Sequence, residues 1–193
     1  MRDLPIQTAK NVTHGHGVHR EEHTQRAGPS PRWFALLLRS RHEFAVRDAL
    51  RAAGVPEFLP TKTSESRWSD RTNSITRPLF SGYIFARFDP SFATSVAETR
   101  GVIRILSLNC KPCPIPDGEI ANLRLAVEAS ASVSPCAYVA GETCRVERGP
   151  FAGVTGVIQR VKDQTTLYIP IEILGRSVSV QIDAADIEAR KAA

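Results

Sequence analysis

The apolar pattern of this chain changes at residues 130–136, and this change constrains the fold more than any other feature of the sequence. Before that point, stretches with strand spacing alternate with stretches of helical spacing. After it come only short strand-like segments separated by turn residues. The segment itself, Ser-Ala-Ser-Val-Ser-Pro-Cys, has the composition of a linker. The sequence therefore predicts two domains, at 32–129 and 137–190, joined by a linker.

The first domain is predicted to be α+β. The wholly apolar run Trp33–Leu38 indicates a buried strand, and the aromatic-rich run Leu79–Phe88 indicates another. The polar stretch 61–78 is expected to form a loop or an exposed hairpin. Such an order of elements favours an antiparallel sheet with helices packed on it. Further strands are expected at Pro56–Pro60 and Val102–Leu106, and helices at 43–53, 90–100 and 117–129.

The second domain is predicted to be a small closed β-barrel. Its short strands are separated by tight turns within some 55 residues, a length typical of such barrels. Pro170 falls inside a predicted strand and has no backbone N–H, so it is expected at a sheet edge or a bulge. The predicted strands are Cys144–Val146, Val154–Val161, Thr165–Ile173 and Ser177–Ile182.

Residues 1–31 are predicted to be a disordered tail, because they are polar and show no periodic apolar pattern. Four of the five histidines fall in this tail, at positions 14, 16, 19 and 23. A metal-binding tract of histidines is the alternative, but such tails are more often merely polar. The N-terminus lacks an apolar signal sequence and no run is long enough to span a bilayer, so a cytoplasmic location is expected.

The net charge of +5 arises mainly in the first domain. Residues 32–130 carry 14 basic and 10 acidic side chains, whereas residues 131–193 carry seven of each. A modest positive surface is compatible with contacts to nucleic acid. The neutral second domain argues against a dedicated RNA-binding module, which would be expected to be basic.

The sequence contains no recognisable catalytic or metal motif. We find no phosphate-binding Walker loop, no nucleophile elbow and no zinc-protease motif. Cys110 and Cys113 form a C-x-x-C pair, but Cys136 and Cys144 are spaced too widely to complete a zinc knuckle. We therefore expect a non-enzymatic protein without a cofactor or metal, in which these are ordinary loop cysteines; a metal or redox role for the pair is the alternative.

Three ordered motifs resemble the NusG family of transcription factors. Trp33–Leu36 followed by Arg39-Ser40-Arg41-His42-Glu43 is similar to the opening of its N-terminal (NGN) domain, and Arg77–Phe85 is similar to that domain's central strand, with Ser81 where the family usually has Pro. Gly141–Val146 with Gly149–Gly156 and Leu174–Arg176 is similar to its KOW motif, an SH3-like barrel. The segments Arg39-Ser40-Arg41-His42-Glu43 and Trp68-Ser69-Asp70-Arg71 resemble the specialised paralogues of the UpxY and RfaH type more than the housekeeping factor.

The resemblance implies a transcription elongation factor that acts as a monomer. In the family, the first domain binds the clamp helices of the largest RNA polymerase subunit and contacts the non-template DNA strand, which suppresses pausing and termination. The KOW domain recruits ribosomal protein S10 or the termination factor Rho. A KOW protein that binds the ribosome or RNA is the alternative function. We expect a permanent barrel rather than a switch to helices, because two prolines and several glycines disfavour helix in 137–190.

The resemblance also suggests individual binding residues, each with a structural alternative. Tyr83 and Phe85 share one face of a strand and, with Phe80, match polymerase-contacting positions; the alternative is that they belong to the core. Several basic and polar residues match DNA-contacting positions, and the alternative for them is a solvated surface. Phe151 matches a partner-contacting position in the KOW turn, and the alternative is that its ring folds back over the end of the barrel. The suggested DNA-binding residues are Arg39, Arg41, Thr94, Ser95 and Arg100, and the partner-binding residues of the KOW domain are Phe151, Ile173 and Leu174.

Overall fold

The computed structural model describes residues 30–68, 71–129, 133–137, 141, 143–161, 164–183 and 186. Most of the predicted tail at 1–31 therefore lies outside the described residues. The first domain is built on a four-stranded antiparallel sheet with the strand order β2-β5-β1-β6. Its strands are β1 (Arg32–Leu38), β2 (Glu57–Phe58), β5 (Tyr83–Phe88) and β6 (Val102–Ile105).

One face of this sheet is covered by the helices α1 (Glu43–Ala52) and α2 (Ala93–Ala97). Alternate residues of a strand point to opposite faces, so the apolar run of β1 supplies side chains to both. Gly54 follows α1 with a φ of 72° and ends it as predicted. The buried cluster on this face is formed by Phe34, Leu36, Leu38, Val46, Leu50, Leu59, Ile84, Ala86, Phe88, Val96 and Ile105.

The opposite face packs against α3 (Asp117–Ala129). Ile120 and Leu123 of this helix are buried in the same cluster as Trp33 and Phe85 of the sheet. The guanidinium of Arg124 lies 5.1 Å from the ring centroid of Trp33 and 4.7 Å from that of Phe58. Apolar burial and cation–π contacts therefore hold α3 across the sheet.

Two hairpins extend the first domain. The polar stretch 61–78 forms a hairpin of β3 (Thr61–Trp68) and β4 (Arg71–Pro78), which agrees with the expectation of an exposed hairpin. A shorter hairpin pairs β7 (Ser107–Leu108) with β8 (Lys111–Pro112). Its two loop residues, Asn109 and Cys110, both have positive φ, as the favoured type I′ turn requires.

Two element boundaries in the first domain differ from the sequence prediction. The strand expected at Leu79–Phe88 begins only at Tyr83, because the chain turns at Gly82 with a φ of 79°. The helix expected to reach residue 100 starts with a 3₁₀ turn, Pro90–Phe92, and ends at Ala97. Its start is as predicted, since the carboxylate of Asp89 accepts the backbone N–H of Ser91 at 2.8 Å.

The second domain is a five-stranded antiparallel sheet with the order β10-β11-β12-β13-β9. Within the described residues no pairing joins its outer strands, so the closed barrel expected from the sequence is not seen there. A 3₁₀ helix, Glu172–Leu174, connects the last two strands of this domain in chain order. In chain order the strands are β9 (Ser134–Ala137), β10 (Thr143–Arg145), β11 (Thr155–Val161), β12 (Gln164–Ile171) and β13 (Arg176–Ile182), so that helix lies between β12 and β13.

The structure corrects the prediction of a linker at 130–136. Ser134–Ala137 forms strand β9 and pairs with β13, and the neighbouring Val133 is buried. The remaining predicted linker residues, 130–132, lie outside the described part of the chain. Serine and proline suggested a flexible segment, but an edge strand tolerates both, since only one side of it needs hydrogen bonds.

The two domains also make more contact than a free linker would suggest. A single cluster of buried apolar residues includes Ile120 and Leu123 of α3 together with Leu167 and Ile171 of β12. Polar contacts cross the same boundary between α3 and the second domain. The two domains are therefore packed against each other through α3 in this structure. No helix in the described ranges is long and apolar enough to cross a membrane.

Candidate functional site

The three aromatic residues predicted to bind the polymerase differ in their accessibility. Phe85 is fully buried, and its ring centroid lies 6.2 Å from those of both Phe58 and Phe80. Phe80 is buried as well, whereas Tyr83 is only half-buried. The structure therefore favours the core alternative for Phe80 and Phe85, which cannot touch a partner in this conformation.

Tyr83 belongs to a partly exposed row at one end of the sheet. The register places Tyr83 of β5 opposite Leu37 of β1, and Leu37 opposite Arg104 of β6. Directly paired residues of antiparallel strands point to the same face, so these side chains form one row. Tyr83 and Leu37 are half-buried and Arg104 is exposed. We call these three residues the Tyr83 row.

The predicted DNA-binding arginines come together at the same end of the sheet. The backbone N–H of Arg39 donates to the carbonyl oxygen of Gly101 at 2.9 Å, which brings the turn after β1 against the turn that carries Arg100. Arg39, Arg41 and Arg100 are all exposed. We call these three residues the arginine cluster.

Arg41 has a backbone conformation that side chains rarely adopt. Its φ is 63°, in the left-handed region that costs a non-glycine residue about 1 kcal/mol. The turn that imposes this conformation is closed by the N–H of His42, which donates to the carbonyl oxygen of Arg39 at 3.1 Å. Strain of this kind concentrates at functional sites, so it adds weight to the prediction for this turn.

Thr94 and Ser95 are exposed on α2, next to the buried Val96. Ser95 lines a groove of about 770 Å³ together with Val55 and the exposed Phe92. The groove is a different feature from the turn that carries the arginine cluster. The structure therefore leaves these two residues accessible but gives them no bond to the arginines among the described contacts.

The predicted partner-binding residues of the second domain lie close to the first domain. Phe151 is only 6% exposed and belongs to the shared apolar cluster, so it folds back into the core rather than projecting from its turn. Ile173 and Leu174 are half-buried and pack against that cluster. Ile173 also lines a cleft of about 360 Å³ together with Glu119 of α3 and Glu172.

Glu119 and Glu172 meet across the domain boundary. The backbone N–H of Glu172 donates to Oε2 of Glu119 at 3.4 Å. Burial raises the pKa of Glu119 above its ordinary value, the nearby negative charge of Glu172 also raises it, and the hydrogen bond from Glu172 opposes both effects. The contact is therefore sensitive to the charge of one half-buried carboxylate.

The sequence interpretation missed the residues of this boundary. Glu119 and Asn122 occupy the polar side of a helix that otherwise supplies apolar residues to the core, and polar positions of this kind usually face solvent. Leu37 and Arg104 were missed as well. Only the strand register, which the sequence does not reveal, aligns them with Tyr83.

The cysteines and histidines form no metal cluster in the described residues. Cys110 is exposed in its hairpin turn and Cys113 is half-buried, and none of the four cysteines is joined in a disulfide. The four histidines of the tail lie outside the described residues. The structure thus adds nothing in favour of a metal or redox role for these side chains.

The fold and the exposed residues define a class of protein: a mixed α/β domain with basic and aromatic side chains at one end of its sheet, followed by a small antiparallel β-domain. Residues 31–124 match the family model described as "Transcription termination factor nusG". These residues are therefore similar to the NusG family.

Full-length relatives extend the similarity into the second domain. The "Transcription termination/antitermination protein NusG" of Pseudomonas aeruginosa is 27% identical over 172 residues, which cover 81% of this chain and 97% of the relative. The protein of the same name from Vibrio parahaemolyticus is 28% identical over 177 residues, covering 83% and 96%. These relatives are named as transcription factors rather than enzymes.

A solved structure supports the fold. The structure described as "Domain interaction in Thermotoga maritima NusG" superimposes with a TM-score of 0.51 over 84% of this chain and 98% of that chain, at 19% sequence identity. The mixed α/β architecture with antiparallel sheets and few helices, predicted from the sequence, is thereby confirmed.

Proposed function

We propose that this chain is a transcription elongation factor that binds RNA polymerase through its first domain and recruits a second protein through its second domain. The observation that carries the proposal is the NusG family match of residues 31–124, together with relatives named for termination and antitermination that span both domains. Such a factor suppresses pausing and termination while bound to the polymerase in the cytoplasm. The domain limits that we propose are 32–129 and, starting from β9, 134–190.

The polymerase-binding surface that we propose is the Tyr83 row. It combines a half-buried aromatic ring, a half-buried aliphatic side chain and an exposed guanidinium. Aromatic residues and arginine are enriched at protein interfaces because they combine a large contact area with hydrogen-bonding groups. The clamp helices of the largest polymerase subunit are the expected partner, and Tyr83 packs against the buried cluster that contains Phe80 and Phe85.

The arginine cluster is proposed to bind the non-template DNA strand. Its position next to the Tyr83 row supports this. Leu37 of that row lies two residues before Arg39 in the chain. The N–H of Leu38 also donates to the carbonyl oxygen of Gly82, the residue before Tyr83, at 2.8 Å. A guanidinium matches the geometry of a phosphate and binds it in a bidentate manner. Thr94 and Ser95 remain candidates for contacts further along the strand.

The second domain is proposed to recruit ribosomal protein S10 or Rho. Ile173 and Leu174 offer apolar area that is half-buried rather than lost to the core. Phe151, which is buried, would act by holding their surroundings in place. We also propose that the chain is a specialised paralogue of the UpxY or RfaH type, because the segments Arg39-Ser40-Arg41-His42-Glu43 and Trp68-Ser69-Asp70-Arg71 resemble those paralogues.

Replacement of Tyr83 by alanine in the full-length protein tests the polymerase surface. We expect the variant to remain folded and to lose binding to purified polymerase from the same host, together with its effect on pausing in a run-off transcription assay. Phe92→Ala is the matched control, since Phe92 is 61% exposed on the other side of the domain. Equal polymerase binding by both variants would reject the Tyr83 row as the docking surface.

A further inference from the structure

Arg124 of α3 carries a charge that has no anionic partner among the described residues. Its guanidinium lies over the rings of Trp33 and Phe58, at 5.1 Å and 4.7 Å from their centroids. Its Nε is buried and has no hydrogen-bond acceptor in the described part of the chain. The ion pairs found there involve other arginines. Arg124 is therefore positioned by aromatic packing alone.

Aromatic packing does not satisfy a guanidinium. The rings attract the positive charge, but a ring face is only a weak acceptor for an N–H group. A guanidinium has five N–H donors in one plane, and a carboxylate can bind two of them at once. Buried polar groups are normally hydrogen-bonded, because an unmade bond costs free energy. An anion that reached Arg124 would supply the missing acceptor.

Arg124 lines a pocket of about 280 Å³ beside β2, the edge strand of the first sheet. Arg47 and Arg51 of α1 line the same pocket. Nε and Nη2 of Arg47 bind the carboxylate of Asp48 at 2.8 Å and 2.7 Å. Arg51 is paired with Glu57, whose side chain is only 8% exposed. The charges that α1 brings to the pocket are thus paired within the chain, whereas that of Arg124 is not.

The pocket belongs to the first domain. Its lining residues come from α1, from β2 and the residue after it, from the hairpin of β3 and β4, and from α3. None of the described residues of the second domain lines it. The pocket is therefore open in the conformation in which α3 packs against that domain, and a ligand could enter it without separating the domains.

The size and the charge of the pocket favour a single carboxylate. Three arginines and two glutamates, Glu57 and Glu128, line it, so one positive charge is left over. Its volume lies at the lower end of the range for small-molecule sites, which suits one side chain. A nucleic-acid strand would bring several phosphates close to the two glutamates, and repulsion between like charges disfavours this. The half-buried rings of Phe44 and Phe58 also line the pocket and offer apolar contact.

We propose that this pocket binds an Asp or Glu side chain of a partner protein, presented next to an apolar residue, with Arg124 as the ion-pair partner of the carboxylate. The apolar residue packs against Phe44 or Phe58. Arginine and aromatic residues that meet in one pocket are typical of the positions that dominate binding at protein interfaces. The pocket shares no residue with the Tyr83 row or the arginine cluster, so the inference goes beyond the proposed function.

Titration of the full-length protein with two short peptides tests the chemistry of the ligand. The probes are acetyl-Leu-Glu-Leu-amide and acetyl-Leu-Gln-Leu-amide, which differ in the charge of one side chain. NMR follows the Nε–H signal of Arg124 and the backbone amides of Phe44 and Phe58. The Glu peptide should bind about tenfold more tightly than the Gln peptide, because it alone offers a charged acceptor.

Equal binding of the two peptides at these signals would overturn the proposal. A single-stranded oligothymidine is the third probe. If it shifted the same signals at lower concentration than the Glu peptide, the pocket would be a nucleic-acid site and the proposal would also fail.

Two substitutions with opposite expected effects test the charges of the pocket. Arg124→Gln should weaken binding of the Glu peptide by about tenfold or more. Glu128→Gln removes an exposed carboxylate from the lining and should tighten binding by about twofold. The matched controls are Arg176→Gln and Glu147→Gln, which make the same changes of charge at exposed positions of the second domain and should leave binding unchanged.

Circular dichroism shows whether Arg124→Gln remains folded, since the loss of its aromatic contacts can also destabilise the domain. The comparison of Glu128→Gln with Glu147→Gln does not depend on that variant. Equal affinity of these two variants for the Glu peptide would contradict the assignment of the pocket, as would unchanged binding by a folded Arg124→Gln protein.

Discussion

A comparison of Phe85→Ala with Tyr83→Ala distinguishes a residue of the hydrophobic core from a residue of the proposed polymerase-binding surface. The two aromatic rings lie two residues apart on one face of β5, yet Phe85 is fully buried and Tyr83 is half-buried. Phe85 also contacts the rings of Phe58 and Phe80, each at a centroid distance of 6.2 Å. Its removal would leave a cavity between the sheet and α3.

The expected cost of Phe85→Ala is large. Truncation of a fully buried Phe costs about 3–5 kcal/mol through lost burial and the cavity left behind. Native domains are stable by only about 5–15 kcal/mol, so this loss would bring the first domain close to unfolding. Tyr83→Ala removes a half-buried ring, and its cost should be roughly half as large or smaller.

Urea unfolding followed by circular dichroism measures both changes. We expect Phe85→Ala to lower the free energy of unfolding by about 3 kcal/mol or more. The exposed Phe92 gives the reference, since its replacement by alanine should change stability by no more than about 0.5 kcal/mol. A Phe85→Ala variant that is as stable as wild type but no longer binds polymerase would refute the reasoning, because it would show Phe85 to be an interface residue.

Three further predictions concern charge and secondary structure. Replacing Arg39, Arg41 and Arg100 by glutamine should weaken cross-linking to the non-template strand. The slope of log K for DNA binding against log salt concentration should fall in magnitude by about 0.7 for each lost phosphate contact. An unchanged slope would contradict the assignment of these residues to DNA binding. The pKa of Glu119 is raised when the domains are docked, so docking should be strongest when the pH is below the ordinary glutamate pKa of 4.5. Docking should weaken as the pH rises through the raised pKa of Glu119. Glu119→Gln should abolish this pH dependence in an NMR titration. Residues 137–190 should contribute β-type circular dichroism to the full-length protein, and a helical contribution would contradict the expected permanent β-fold.

The parts of the fold that the sequence predicted are those set by local chemistry. Asp89 and Pro90 mark a helix start because one side chain accepts a backbone N–H and the other residue lacks one. Gly54 ends α1 because a left-handed residue is needed there. The continuous apolar run of β1 predicts that both faces of the strand are buried, but it does not indicate which helix covers which face.

The parts that the sequence did not predict depend on pairing over long distances. Ser134–Ala137 looks like a linker by composition and becomes a strand only because β13 lies beside it. Phe151 lies in a turn, and only the packing of the second domain decides that its ring folds inward. Asn122 resembles any polar residue on a helix surface until Thr155 is placed opposite it.

The burial of Phe80 and Phe85 also limits where the first domain can meet its partners. Both faces of the sheet are covered by helices, so side chains remain accessible mainly at strand ends and in turns. Tyr83 begins β5, and Leu37 lies near the end of β1. Arg39 follows two residues later, in the turn after β1. A polymerase-binding surface and a DNA-binding surface built from these positions would share one end of the sheet. A protein bound at the Tyr83 row would therefore hold the arginine cluster at a fixed distance from its own surface, which is what simultaneous contact with polymerase and DNA requires.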